Sequence, residues 1–141
     1  MTDPHLAAPA PAPGSRGSCL VVDDSRTVRR AARRILEAEG FAVTEAADGQ
    51  QALEACRAGL PDLVLLDWNM PVLDGLGFLR AARAEFGPER PTVILCTTEA
   101  AFDRIVEALE AGAQEYVMKP FDAEILRDKL IQAGLLPQDA A

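Results

Sequence analysis

From Ser18 onward the chain alternates between two textures, and that alternation restricts the possible folds more than any other feature of its 141 residues. Short apolar or β-branched runs, CLVV (19–22), FAVTEA (41–46), DLVLLD (62–67), TVILCT (92–97) and EYVMK (115–119), read as five strands. Residues 25–39, 49–58, 75–85, 100–111 and 122–133 carry helical spacing instead. Gly40, Gly59, Gly87, Gly112 and Gly134 fall just past these stretches, where a left-handed C-cap favours glycine. Five strand–helix units with near-continuous apolar first, third and fourth strands predict a parallel sheet buried on both faces, with helices covering each side. In such a sheet, ligands bind beyond the carboxyl ends of the strands, where the strand order reverses.

The remaining composition narrows the reading. The chain is long enough for one compact domain and too short for two. A net charge of −8 argues against general attraction to nucleic acid or anionic lipid, so partners are expected to be proteins. Cys19, Cys56 and Cys96 are an odd number, far apart and without a C-x-x-C pair. Neither a disulfide framework nor a zinc site is indicated, and a reducing cytoplasm is the expected location. No apolar run approaches the roughly 18 residues of a membrane span. Residues 1–17, rich in Ala and Pro, lack the apolar core of a signal peptide and are expected to form a disordered tail ahead of a domain at 18–136, with 137–141 as a short second tail. The only histidine, His5, lies in that first tail, so chemistry needing an internal histidine is not expected.

Polar residues gather at the predicted strand ends. The first strand runs into Asp23 and Asp24, the third ends in Asp67, the fourth in Thr97 and Thr98, and the fifth in Lys119. In a parallel sheet all of these reach the same edge. Three carboxylates brought together repel, and one lysine cannot balance them. A divalent cation would, and all-oxygen ligands with positions left to water favour Mg²⁺, or Mn²⁺ in its place, over zinc.

VVDDS with Asp23 and Asp24, LLDWNMPVLDG with Asp67, CTTEA with Thr97, and AQEYVMKPF with Tyr116, Lys119 and Pro120 together resemble a response-regulator receiver domain, in particular the single-domain chemotaxis regulators of the CheY type. The resemblance covers residues 18–136, all of the chain but its tails. It implies a doubly wound, flavodoxin-like α/β fold of strand order 2-1-3-4-5, in which Asp67 accepts a phosphoryl group from a histidine kinase or phosphotransfer protein. It further implies Asp24, Asp67 and the Asn69 carbonyl as direct Mg²⁺ ligands with Asp23 acting partly through water. Lys119 and Thr97 would hold phosphoryl oxygens, a cis peptide would join Lys119 to Pro120, and Tyr116 would switch with Thr97. By the same resemblance the protein is a monomer, is not a turnover enzyme, and signals through the face formed by residues 99–109 and 115–130. A flagellar motor switch component is the expected reader of that face. A phosphate sink or a regulator of another pathway is the alternative.

Other readings of the same residues compete. Asp23 and Asp24 with Ser25 would cap a helix, Thr97 and Tyr116 would be ordinary turn and packing residues, and Trp68 reads as an exposed aromatic beside the site. Arg26, Arg29, Arg30, Arg33 and Arg34 form either a solvated face or a dock for an acidic kinase surface. An aspartyl-nucleophile phosphatase would resemble D-x-D, with a second carboxylate as acid and base, but Asn69 stands there. A DNA-binding regulator would need an output domain where only PQDAA follows, and a pseudo-receiver would lack site residues that are all present here.

Overall fold

The computed structural model describes residues 16–98 and 102–138. Five strand–helix units follow one another: β1 (Gly17–Val22), α1 (Arg26–Ala38), β2 (Phe41–Ala46), α2 (Gly49–Ala58), β3 (Leu63–Asp67), α3 (Gly75–Phe86), β4 (Thr92–Thr97), α4 (Phe102–Glu110), β5 (Glu115–Met118) and α5 (Ala123–Gln132). The strands form one sheet of order β2-β1-β3-β4-β5, every pair parallel. Order reverses at β1, where the chain steps out to β2 and then crosses to β3, so the notch of the sheet lies between β1 and β3.

Strand alternation sorts the core into two layers. Leu20, Val22, Leu66 and Leu95 pack with Leu53, Phe78, Leu79 and Ala108 under α2, α3 and α4. Val21, Leu65 and Ile94 pack with Ala32, Leu36, Leu126 and Leu130 under α1 and α5. Four helices begin at a side chain that accepts a backbone N–H of the first turn: Ser25 from Val28 (3.3 Å), Asp48 from Gln51 (2.8 Å), Asp74 from Gly77 (2.8 Å) and Asp122 from Ile125 (2.9 Å). Ser25, and not Asp23 or Asp24, is the cap of α1.

Two expectations need correction. Gly40, Gly87, Gly112 and Gly134 are left-handed at φ between +81° and +115°, but Gly59 is extended at φ −171°. After α2 the chain runs straight on toward Leu60 and Pro61, where the proline disfavours a helical Leu60. The expected tail boundary is also too late. Gly17 pairs with Phe41 as the first residue of β1, and the Arg16 N–H donates to the Gly40 carbonyl at 2.9 Å, so residues 16 and 17 belong to the fold. Residues 1–15, 99–101 and 139–141, which include His5 and the start of the expected fourth helix, lie outside the described residues. Lys119–Pro120 is cis as expected, and Arg90–Pro91 is cis as well, which the sequence reading did not anticipate. Among the described residues no helix is long and apolar enough to cross a membrane.

Candidate functional site

The sheet register aligns Val22 with Leu66, Asp67 with Cys96 and Thr97 with Met118, so the chain leaves β1, β3, β4 and β5 along one edge. Asp23, Asp67, Thr97 and Lys119 stand together there because each lies at, or one residue beyond, its strand's last pairing. Backbone bonds fix the tips: Asp23 N–H donates to Ala46 C=O (3.1 Å), Trp68 N–H to Cys96 C=O (3.2 Å) and Lys119 N–H to Thr97 C=O (2.8 Å).

Asp23 and Asp67 are buried, at 3% and 8% exposure, and Asp24 is exposed. One carboxylate oxygen from each of the three lies within 4.8 Å of the others. Lys119 reaches between two of them, its Nζ 2.5 Å from Asp23 Oδ2 and 3.0 Å from Asp67 Oδ1. The second Asp23 oxygen accepts the Ser25 N–H at 2.8 Å, and Arg29 Nη1 donates to the Asp23 carbonyl at 2.7 Å. Asp23 is thereby held from both sides.

Burial raises the Asp67 carboxyl above the usual carboxylate range; the Lys119 hydrogen bond opposes that shift, and the neighbouring Asp23 and Asp24 charges add to it. Burial alone would lower the Lys119 ammonium, but its bonds to Asp23 and Asp67 outweigh it and leave the group above its ordinary value. The two directions describe one system: excess negative charge in a small volume, with one cation between. The three buried thiols take no part, since burial pushes each well up and keeps it protonated.

The loop after β3 is tightly tied. Gly75 N–H donates to Trp68 C=O at 2.9 Å, and a Cβ on Gly75 would collide with the Asp67 carbonyl oxygen, so only glycine admits α3 this close to the acidic strand end. Asn69 is exposed in that loop, and Val72 stands at φ +69°, bracketed by a Leu73 N–H to Pro71 C=O bond of 2.8 Å. Such a left-handed valine stores strain.

Trp68 is not the exposed aromatic that the sequence suggested. It is 7% exposed and packs into the core layer under α2–α4, with the Arg104 guanidinium 5.4 Å from its ring centroid. Tyr116 is half-buried against the same layer, and Lys129 Nζ lies 4.5 Å from its ring. Of the five α1 arginines, Arg29 and Arg33 turn toward β2, where both pair with Glu45, at 3.0 and 2.8 Å. Arg26, Arg30 and Arg34 stay exposed. The Glu45 partnership was missed in the sequence, although an acid in the strand following an arginine-rich helix was a visible signal. Next to Lys119 a groove of about 400 Å³ is lined by Val28, Ala31, Ile35, Pro120 and Phe121.

Asp23, Asp24 and Asp67 offer hard oxygen donors around a cleft that one ammonium leaves under-neutralised, and that donor set fits a hard divalent cation. A buried acid, a lysine and a hydroxyl at the carboxyl edge of a five-stranded 2-1-3-4-5 sheet define a receiver. Residues 19–131 match the response regulator receiver domain model, and the chain belongs to that family. It is 43% identical over 112 residues to the chemotaxis protein CheY of Pseudomonas aeruginosa, covering 79% of this chain and 90% of that one. Chemotaxis protein CheY-3 of Vibrio cholerae is 41% identical over 112 residues, 79% of this chain and 86% of its own. Among solved structures, the chemotaxis response regulator CheY4 of Vibrio cholerae superposes with a TM-score of 0.77 at 32% identity, covering 82% of this chain and 97% of that one.

Proposed function

We propose that Asp67 accepts a phosphoryl group from the phosphohistidine of a separate kinase or phosphotransfer protein, and that this modification switches a protein-binding face in a chemotaxis pathway. The observation that carries this reading is the Lys119 ammonium held between Asp23 and Asp67. An Asp67 oxygen attacks phosphorus in line as the bond to the histidine nitrogen breaks. Lys119 then exchanges an Asp67 oxygen for a phosphoryl oxygen, and the Thr97 hydroxyl donates to another. Asp23, Asp24, Asp67 and the Asn69 carbonyl would hold Mg²⁺ or Mn²⁺. When bound, the cation supplies charge neutralisation where two anions meet.

Asn69, not a second carboxylate, stands two residues after Asp67, which leaves hydrolysis of the acyl phosphate without a built-in base. The group therefore serves as a signal, with slow self-dephosphorylation at most. The donor approaches over the groove beside Lys119, its apolar floor suited to a helix and the exposed Arg30 and Arg34 to acidic residues on that helix. Movement of Thr97 toward the phosphoryl group and of Tyr116 into the core remodels α4, β5 and α5 for an output partner such as a flagellar motor switch component. The similarity to chemotaxis CheY proteins favours that output over a phosphate sink.

The test is intact mass after incubation with a small phosphodonor. One phosphoryl group is expected in Mg²⁺, none in EDTA, and none on Asp67→Asn. Equal labelling of Asp67→Asn would end this reading.

A further inference from the structure

The acidic edge and α4 are joined by a contact that none of the site chemistry requires. Trp68 is bonded directly to Asp67 in the chain, and its backbone is fixed at both ends, by Cys96 C=O and by Gly75 N–H. Its ring is buried, so it cannot turn without disturbing the loop that carries Asp67 and Asn69. Over that ring, 5.4 Å from the centroid, lies the guanidinium of Arg104, from the first turns of α4. That is within the distance at which a cation is attracted by the face of an indole, and a partly buried guanidinium loses little hydration to it.

α4 itself is weakly anchored: of its residues from 103 to 110, only Ala108 is buried. A contact worth a few-fold in population therefore weighs heavily in deciding where this helix sits. In this structure Lys119 is engaged by both Asp23 and Asp67, which is the arrangement before a phosphoryl group takes one of those places. The Arg104–Trp68 contact belongs to that arrangement.

We infer that Arg104 is a positioning residue which, through the Trp68 ring, ties the placement of α4 to the occupancy of the Asp67 site. The inference rests on Asp67 being the acceptor. Arg104 meets the ring of the residue adjacent to the acceptor and acts through it. Loss of the guanidinium releases α4 from the unoccupied arrangement, which lowers the cost of reaching the occupied one and tightens binding of a phosphoryl mimic.

The experiment compares the full chain with Arg104→Met and Arg104→Lys, using Mg²⁺ with beryllofluoride as the probe. Occupancy is followed by fluorine NMR, and helix mobility by hydrogen exchange of the α4 amides. Arg104→Met is expected to bind beryllofluoride about three- to tenfold more tightly than the parent. Its α4 amides should exchange faster before ligand is added, while those of α1 stay unchanged. Arg104→Lys, which keeps a cation for the ring, should stay within about twofold of the parent. Equal or weaker binding by Arg104→Met, or a Lys variant indistinguishable from the Met variant, overturns the inference. If the parent itself fails to bind beryllofluoride in Mg²⁺, the acceptor assignment falls first and the coupling with it.

Discussion

α1 and α4 both flank the acidic edge, and they are held in opposite ways. α1 buries Ala32 and Leu36, is capped by Ser25, and is bound through Arg29 and Arg33 to Glu45 and to the Asp23 carbonyl. α4 buries only Ala108 among residues 103–110, leaves Leu109 exposed, and reaches the site through Arg104 on Trp68. The difference suits the two duties proposed for these helices. A wall that is to present Asp23 and the proposed donor groove unchanged needs many independent anchors. A helix that is to take two positions must be near balance between them, and few anchors among the described residues make that possible.

The most direct way to break this comparison is to cut an equal amount of side chain from each helix. Leu36→Ala removes a fully buried leucine from α1 and should cost about 3 kcal/mol in urea unfolding, by lost transfer energy and the cavity left behind. Leu109→Ala trims a 41%-exposed side chain of α4 and should change stability by less than about 0.5 kcal/mol. Similar losses at the two positions would show that α4 is as firmly seated as α1.

Lys119→Ala acts on the link between the two sides. Without the ammonium between Asp23 and Asp67, a phosphoryl mimic loses its fixed cationic partner. Beryllofluoride affinity should fall about tenfold or more, with little response left in α4. Mg²⁺ itself should bind as well or better, since a competing positive charge has gone. Trp68 fluorescence reads both titrations, and undiminished beryllofluoride binding would remove Lys119 from the switch.

A smaller effect sharpens the α1 side. Glu45→Ala releases Arg29 and Arg33 together and should cost about 1 kcal/mol, more than an ordinary surface pair, because one carboxylate serves two guanidiniums in a partly buried position. Burial raises the Glu45 carboxyl, but its bonds to Arg33 and Arg29 outweigh that and hold it below the usual range. Its stabilisation is present above the ordinary glutamate pKa and fades as pH falls through the lowered value. A Glu45→Ala penalty that persists undiminished in strong acid would contradict the ion-pair account.

Much of this architecture was legible because it depends on direction along the chain. Parallel strands all point one way, so Asp23, Asp67, Thr97 and Lys119, at the ends of apolar runs, had to reach one edge. What lies sideways was harder to see. Trp68 follows a buried strand and precedes a polar loop, and only packing against the α2–α4 layer decides that its ring goes inward. Arg29 and Arg33 have the same helical spacing as the exposed Arg26, Arg30 and Arg34; the position of Glu45 across β2 separates them. Gly59 sits where a left-handed cap was expected, but the following Leu60–Pro61 draws the chain out straight. Arg104 carried no signal at all in one dimension, because its partner is 36 residues away on another strand's exit.

The smallest effect concerns the charge that the site carries before any cation binds. Because burial raises the Asp67 carboxyl in the folded protein, the native state keeps a proton there at pH values where the unfolded chain has already lost it. Between those two pKa values stability falls as pH rises, and above both the native state bears a constant penalty. Glu45 has the opposite sign, so the two carboxylates pull the pH profile in different directions. In EDTA, Asp67→Asn should therefore be slightly more stable than the parent at pH 7, by less than about 1 kcal/mol, because an amide still accepts from Lys119 and no longer repels Asp23 and Asp24. The gap should close below the ordinary aspartate pKa, where the parent is neutral at this position in both states. Adding Mg²⁺ should reverse the ranking at pH 7, since the parent gains binding energy that the variant, short one ligand oxygen, gains less of. Urea unfolding at the two pH values, with and without Mg²⁺, measures all three differences. A variant that is less stable than the parent in EDTA at pH 7 would show that Lys119 already neutralises this edge and that crowding among the three carboxylates is not what calls for a cation.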